Sequence, residues 1–275
     1  MSTIHADKLP VPGAEIYYEV RGDGPLLLIS QSGEGDAGRS EALVRQLAAD
    51  FTVITYDRRG LSRSTIHGAP APSMAAHADD AHRLLAELAD GPVAMLGCSM
   101  GAAIGLHLAV NHPGQLSTLI AHEPVSPWLL TDPHRAEHLA ELAQCQAVFH
   151  AEGWQAALAP MVRTLGIDPV HQDIEPGVQL TPITPERAEN FAYFLAHDFT
   201  AVREDHLDTD LLRDSPVHIV PATGRTTPRH VFDHRCAAEL AALRATDLVE
   251  FPGGHNGNLT HPTAYAEVLR GVLDA

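Results

Sequence analysis

Short apolar runs alternate with helical stripes between residues 14 and 122, and this alternation is the strongest limit on what the chain can fold into. Residues 14–20 (AEIYYEV) place Ile16, Tyr18 and Val20 on one side of a strand. The runs 26–30 (LLLIS), 51–56 (FTVITY), 93–97 (VAMLG) and 117–122 (STLIAH) are nearly continuous in apolar residues, as strands covered on both faces require. Between them, residues 40–49 put Leu43, Leu47 and Ala48 on one helical face, and residues 76–90 align Ala81, Leu84, Leu85 and Leu88. Residues 100–111 read as a further helix. A strand, helix and strand in succession pair in parallel through a right-handed crossover. The expected fold class is therefore α/β, with a mostly parallel central sheet flanked by helices.

The alternation lapses from 126 to 212. There the sequence offers helical segments punctuated by Pro127, Pro133, Pro160, Pro169, Pro176, Pro182 and Pro185, and no convincing strand. It resumes with a strand at 216–221, a helix at 230–244, a strand at 247–251 and a helix at 263–273. The expected organisation is a core of residues 1–125 and 213–275, with residues 126–212 as an inserted helical cap or lid. A chain of 275 residues is long enough to bury one large core of this kind.

Composition narrows the class of partner. No apolar run approaches the roughly 20 residues of a membrane span, and the first ten residues lack the apolar stretch of a signal peptide. Three scattered cysteines, Cys98, Cys145 and Cys236, fit a reducing compartment, so the expected location is the cytoplasm. A net charge of −17 argues against a nucleic acid, whose phosphates need Lys and Arg. A small molecule is the expected partner, without nucleic acid or membrane, and a homodimer is compatible with the sequence.

Gly97-Cys98-Ser99-Met100-Gly101 sits between an apolar strand and an Ala-rich helix. Gly-x-Ser-x-Gly in that setting is a nucleophile elbow: a sharp turn lifts the serine to the carboxyl edge of the sheet, with a helix N-terminus behind it. The plain alternative is a serine that only caps the helix. A serine nucleophile needs a general base. After the last expected strand comes Phe251-Pro252-Gly253-Gly254-His255, where two glycines let the loop fold back over the sheet edge, so His255 is the candidate base. His134 and His138, spaced i and i+4, lack the acidic partner of an HExxH zinc motif and read as a surface helix. Neither metal nor cofactor is expected.

With these residues in place the chain resembles an α/β hydrolase over essentially its whole length. Supporting features are Gly33-Glu34-Gly35-Asp36, Tyr56-Asp57-Arg58-Arg59-Gly60-Leu61-Ser62-Arg63-Ser64, the elbow at 97–101 and the Gly-Gly-His loop at 253–255. In that fold the cap is inserted after strand six, here residues 117–122. The resemblance implies a triad acid, and this chain departs from the usual place for it. The loop after strand seven, Ala222-Thr223-Gly224-Arg225-Thr226-Thr227-Pro228, has no carboxylate, and the nearest, Asp233, falls inside the next helix. Some members carry the acid after strand six, where this chain has Ala121-His122-Glu123-Pro124. Glu123 is then the triad acid, or else a structural carboxylate at the cap junction. The arrangement is similar to the zearalenone lactonases, whose loops around the elbow, the acid and strand seven look like those here.

The resemblance also implies an oxyanion hole from the backbone N–H of Met100 and that of Gly33, with Ser32 as the alternative one residue earlier. Ser32, Trp128 and Trp154 are expected at the substrate, with Trp128, Trp154, Met161, Leu165, Phe191, Tyr193 and Phe194 forming an apolar lid or else only the cap's own core. The expected activity is hydrolysis of a carboxylic ester or lactone of a largely apolar small molecule through an acyl-enzyme. Carbon–carbon bond hydrolysis or other chemistry on the same fold, and a catalytically weak ligand sensor, remain alternatives.

Overall fold

The computed structural model describes residues 3–68 and 72–274. Strands β1 (Ile4–Val11), β2 (Ala14–Arg21), β3 (Leu26–Ser30), β4 (Thr52–Tyr56), the short β5 (Thr65–Ile66), β6 (Val93–Cys98), β7 (Leu116–His122), β8 (His218–Gly224) and β9 (Val249–Phe251) make one sheet. Its order is β1-β2-β4-β3-β6-β7-β8-β9, with β5 paired to β2. Pairing is antiparallel at the β1, β2 end and parallel from β4 through β3 to β9. Because β5 adds one strand to the count, β7 is the strand that precedes the expected insertion.

The continuous apolar runs are explained by burial on two sides. Leu27, Ile29, Val53, Leu96 and Ile120 face one apolar layer, shared with α1 (Glu41–Leu47) and α11 (Pro262–Leu273). Their neighbours Leu28, Ile54, Met95 and Leu119 face the other, built on α2 (Met74–Leu88), α3 (Met100–Asn111) and α9 (Phe232–Arg244). The two-residue period of a strand sends successive side chains to opposite layers, so a polar side chain in these runs needs a buried partner, as Ser30 finds in Tyr56 at 2.8 Å.

Between β7 and β8 every regular element is helical: a 3-10 turn at Pro127–Leu129, α4 (Asp132–Glu152), α5 (Trp154–Thr164), α6 (Pro185–Tyr193), a wide π turn at Phe194–Asp198, α7 (Phe199–Arg203) and α8 (Thr209–Asp214). Buried residues of this segment, such as Leu142, Met161 and Leu195, join the layer above α3 and α9. Among the described residues no helix is long and apolar enough to cross a membrane.

The strand β1 is absent from the pattern reading because it is an edge strand with exposed positions along nearly its whole length, so it carries no apolar period. Its sharp turn into β2 uses Gly13 at φ 73°. Strand β8 runs three residues beyond its expected end, pairing Ala222, Thr223 and Gly224 with Val249, Glu250 and Phe251 of β9. Its carboxyl end therefore lies at Gly224, beside the carboxyl ends of β6 and β7. A four-residue helix, α10 (Gly257–Thr260), follows the Gly-Gly-His loop.

Candidate active site

Strand β6 ends at Cys98 and α3 begins at Met100, leaving Ser99 alone in the turn at φ 55°, ψ −115°. An L-residue with positive φ costs about 1–3 kcal/mol and persists only where its surroundings fix it. Here the backbone does so: Ser99 N–H donates to His122 O at 2.8 Å, and Ser99 O accepts from Ala102 and Ala103. The flanking glycines are required by contact. A Cβ on Gly97 would lie 2.5 Å from Ala102 Cα, and one on Gly101 2.0 Å from Ser30 O. Strand, turn and helix thus close-pack around the serine, which stands 6% exposed.

Glu123 follows β7 directly, at φ 49°, its N–H donating to Ala222 O at 2.9 Å. Its side chain is fully buried. Oε1 accepts from Thr223 Oγ1 and from Gly224 N–H, each at 2.8 Å, and Oε2 lies 2.7 Å from His255 Nδ1. The end of β8 therefore holds one carboxylate oxygen while the other meets the imidazole. His255 reaches this place because its loop touches the end of β8. A Cβ on Gly224 would fall 2.5 Å from the Gly254 backbone, and Gly253 turns at φ 77°.

A second carboxylate converges on the same nitrogen. Asp233, in the first turn of α9, is fully buried, and its Oδ2 lies directly against His255 Nδ1. Neither Asp233 oxygen has a well-directed hydrogen bond, whereas Glu123 has three partners. Asp233 lies inside the helix, as its sequence position implies, and its carboxylate nonetheless reaches the imidazole. Side chains on a helix tilt toward its N-terminus, so a first-turn aspartate projects back to the sheet edge.

The electrostatics follow from burial and proximity. Burial, then the charge of Glu123, pushes the Asp233 carboxyl up to about 7, against the pull of His255. Burial also opposes ionisation of Glu123, but the hydrogen bond from His255, together with the nearby His122 and His255 rings, outweighs it and holds that carboxyl below the usual range. Burial disfavours a charged His255, yet Asp233 and Glu123 together raise the ring to about 10. The three groups form a set of metal-ligand type. Ligands around a tetrahedral zinc at about 2.1 Å stand roughly 3.4 Å apart, however, and the 2.7 Å contact of Nδ1 with Oε2 is the spacing of a shared proton.

The loop after β3 supplies the other wall. Arg58, 1% exposed, donates to the carbonyls of Gln31 (3.2 Å), Ser32 (2.6 Å) and Gly33 (2.7 Å) and to Asp198 Oδ2 (3.0 Å). With three successive carbonyls turned to one guanidinium, the peptide N–H groups face elsewhere. Among the described residues neither Gly33 N–H nor Met100 N–H has a protein acceptor. Asp198 also meets His77 Nε2 at 3.3 Å. Arg63 pairs with Asp57 and Arg59 with Asp80, so these arginines brace the loops.

Ser32, Gly33, Ser99 and His255 line one cavity of about 690 Å³. Among the described hydrogen bonds none joins Ser99 to the His255 ring, a looseness common where no substrate is bound. Apolar side chains from the helical segment, among them Leu158, Met161, Phe191 and Phe194, form much of the wall. The two expected tryptophans do not line it. Trp128 is buried and donates its indole N–H to Asp205 Oδ2 at 2.8 Å, a carboxylate that His107 also engages. Trp154 stacks in parallel with Phe191, ring centroids 6.2 Å apart, and so backs a lining residue.

Comparison with known proteins agrees with this architecture. The family model described as alpha/beta hydrolase fold matches residues 25–159. The uncharacterized hydrolase YraK of Bacillus subtilis is 34% identical over 279 residues, covering 99% of this chain and 97% of that protein. Among solved structures, a hydrolase from Pseudomonas aeruginosa superposes with a TM-score of 0.73 at 24% identity, covering 98% of each chain. A thermophilic esterase from Thermogutta terrifontis gives 0.72 at 21% identity, again covering 98% of each.

Proposed function

The chain belongs to the α/β-hydrolase fold family, and from that premise we propose that it is a serine hydrolase acting on a carboxylic ester or lactone with a largely apolar body. The observation that carries this reading is the buried 2.7 Å contact between Glu123 and His255 Nδ1, in a residue whose ring shares a cavity with Ser99. A carboxylate on Nδ1 fixes the tautomer that leaves Nε2 free to accept a proton.

In the first step Ser99 Oγ attacks the carbonyl carbon while His255 Nε2 takes the hydroxyl proton. Negative charge gathers on the carbonyl oxygen, where Met100 N–H and Gly33 N–H receive it; each such donor is worth about 3 kcal/mol in the transition state. The tetrahedral intermediate collapses, His255 gives its proton to the departing alkoxide, and an acyl-enzyme remains. A water that hands a proton to the same nitrogen then releases the acid and restores Ser99. Glu123 carries the negative charge opposite the imidazolium throughout. Asp233, raised to about 7 chiefly by burial, is protonated below that pH and adds a second negative charge beside the imidazolium above it. The helical segment between β7 and β8 serves as the lid that excludes water from the cavity.

A fluorophosphonate probe tests the assignment. It should label the native protein and not Ser99→Ala, and a panel of aryl esters beside small and macrocyclic lactones should find turnover that vanishes in the same variant. A folded protein that neither reacts with the probe nor hydrolyses any of the panel would overturn the reading.

A further inference from the structure

The cavity wall holds two guanidinium groups and one carboxylate: Arg39, Arg187 and Glu34. Glu34 is gripped by Arg187, with Nε at 2.6 Å and Nη2 at 2.8 Å. The remaining nitrogen of Arg187 is also occupied, donating to the carbonyls of Thr181 (2.5 Å) and Pro182 (2.8 Å). Arg39 is differently placed. Its Nε forms an ion pair with Glu34 Oε1 at 3.1 Å, off the direction of a good hydrogen bond, and its two terminal nitrogens have no protein acceptor among the described residues. Its side chain is nonetheless only 14% exposed. Asp36, the next nearest acid, is engaged by Gly38 N–H and by Arg63.

Two positive groups around one negative leave one cation over, on a wall that is otherwise mostly apolar. A general excess of base does not account for it, since the chain carries a net charge of −17. Burial pulls the Arg39 guanidinium down from its usual range, with Glu34 only partly restoring it. A desolvated guanidinium with free donors is the natural receptor for a planar, bidentate anion. Arg39 also lies six residues after Gly33, on the loop that carries the proposed oxyanion donor, so an anion it held would sit in the same chamber as the reacting carbonyl.

We infer that Arg39 receives a carboxylate carried by the substrate, so that the site takes esters or lactones bearing one free carboxylate on an otherwise apolar body. This rests on the serine hydrolase reading for the reaction, but the binding step can be tested apart from it.

Two aryl esters of equal chain length make the comparison: mono-p-nitrophenyl adipate, with a terminal carboxylate, and p-nitrophenyl hexanoate, with a methyl group in its place. The native protein should show the higher kcat/KM on the adipate in spite of its own negative charge. Arg39→Gln should lower the adipate-to-hexanoate ratio about tenfold or more, mainly through KM, and Arg39→Lys should keep part of the preference. Thermal melts establish that each variant is folded. A native preference for the hexanoate, or a ratio indifferent to both substitutions, would overturn the inference. If neither ester is hydrolysed, the reaction is judged by the probe and the wider panel, and calorimetric titration of Ser99→Ala with monomethyl adipate decides the carboxylate site separately. Binding that Arg39→Gln abolishes supports the carboxylate site, and no binding ends it.

Discussion

Replacing Glu123 by Gln should cost far less alone than together with Asp233→Asn, and the geometry gives the size of the difference. Glu123 meets three donors: Thr223 Oγ1, Gly224 N–H and His255 Nδ1. A glutamine has one acceptor oxygen. If that oxygen stays with Thr223 and Gly224, the amide NH₂ faces Nδ1, and only the tautomer with the proton on Nε2 relieves the clash. Such a tautomer cannot act as base, a fault worth about 10⁴ in kcat, or roughly 5 kcal/mol, where a triad has a single acid. In this chain Asp233 Oδ2 already lies against the same nitrogen. Burial is the main influence that keeps Asp233 protonated, and loss of the Glu123 charge removes a second, so Asp233 ionises more readily and accepts the hydrogen bond from Nδ1–H. The expected losses in kcat are therefore about 10²-fold for Glu123→Gln, tenfold or less for Asp233→Asn, and about 10⁴-fold for the pair. Steady-state kinetics on an aryl ester, with proteins shown by melting to be folded, measures all three. A larger loss in Asp233→Asn than in Glu123→Gln would mean that the roles are reversed. A double variant no worse than Glu123→Gln would mean that Asp233 gives no support at all.

Asp233→Asn should also move the acid limb of kcat/KM to lower pH, because the Asp233 charge is the first of the influences that raise His255 to about 10. In stability the sign is set by proton uptake: an aspartate raised from 3.8 to about 7 keeps its proton in the folded state after the unfolded chain has lost it, so its contribution weakens as pH rises through that window. Urea unfolding at pH 4 and pH 8 should show a smaller decline in Asp233→Asn than in the native protein. Gly33→Ala should reduce kcat by about 10- to 100-fold, since the new methyl would meet the Phe194 ring at 2.7 Å and shift the loop; Phe194→Ala in the same chain should restore part of it, and no restoration would refute the steric cause. Asp198→Ala leaves Arg58 buried without its carboxylate and should cost about 3–5 kcal/mol in urea unfolding, a loss under 1 kcal/mol showing that the pair is not needed.

What the sequence made legible, and what it did not, follows the range of the interactions concerned. Ser99, Glu123 and His255 each come directly after a strand or in the loop that leaves one, so apolar runs and glycine punctuation place them at a common sheet edge. The runs are legible because burial on both faces favours apolar side chains at successive positions, as at Leu27, Leu28 and Ile29. Asp233 escapes the same logic because a helix pattern reports which face is apolar and says little about a first-turn side chain that leans beyond the helix end. The helical segment is harder still. Its aromatic residues announce an apolar interior, yet not which rings line the cavity: of those expected in the lid, Phe191 and Phe194 line it and Trp128 and Trp154 do not. The reason is that the segment is registered to the core by contacts remote in sequence. Arg58 reaches Asp198 across 140 residues, and the wide turn that carries Asp198 begins with Phe194, the ring that covers Gly33. One buried ion pair thus joins the loop after β3 to one wall of the cavity, a coupling that no local period along the chain encodes.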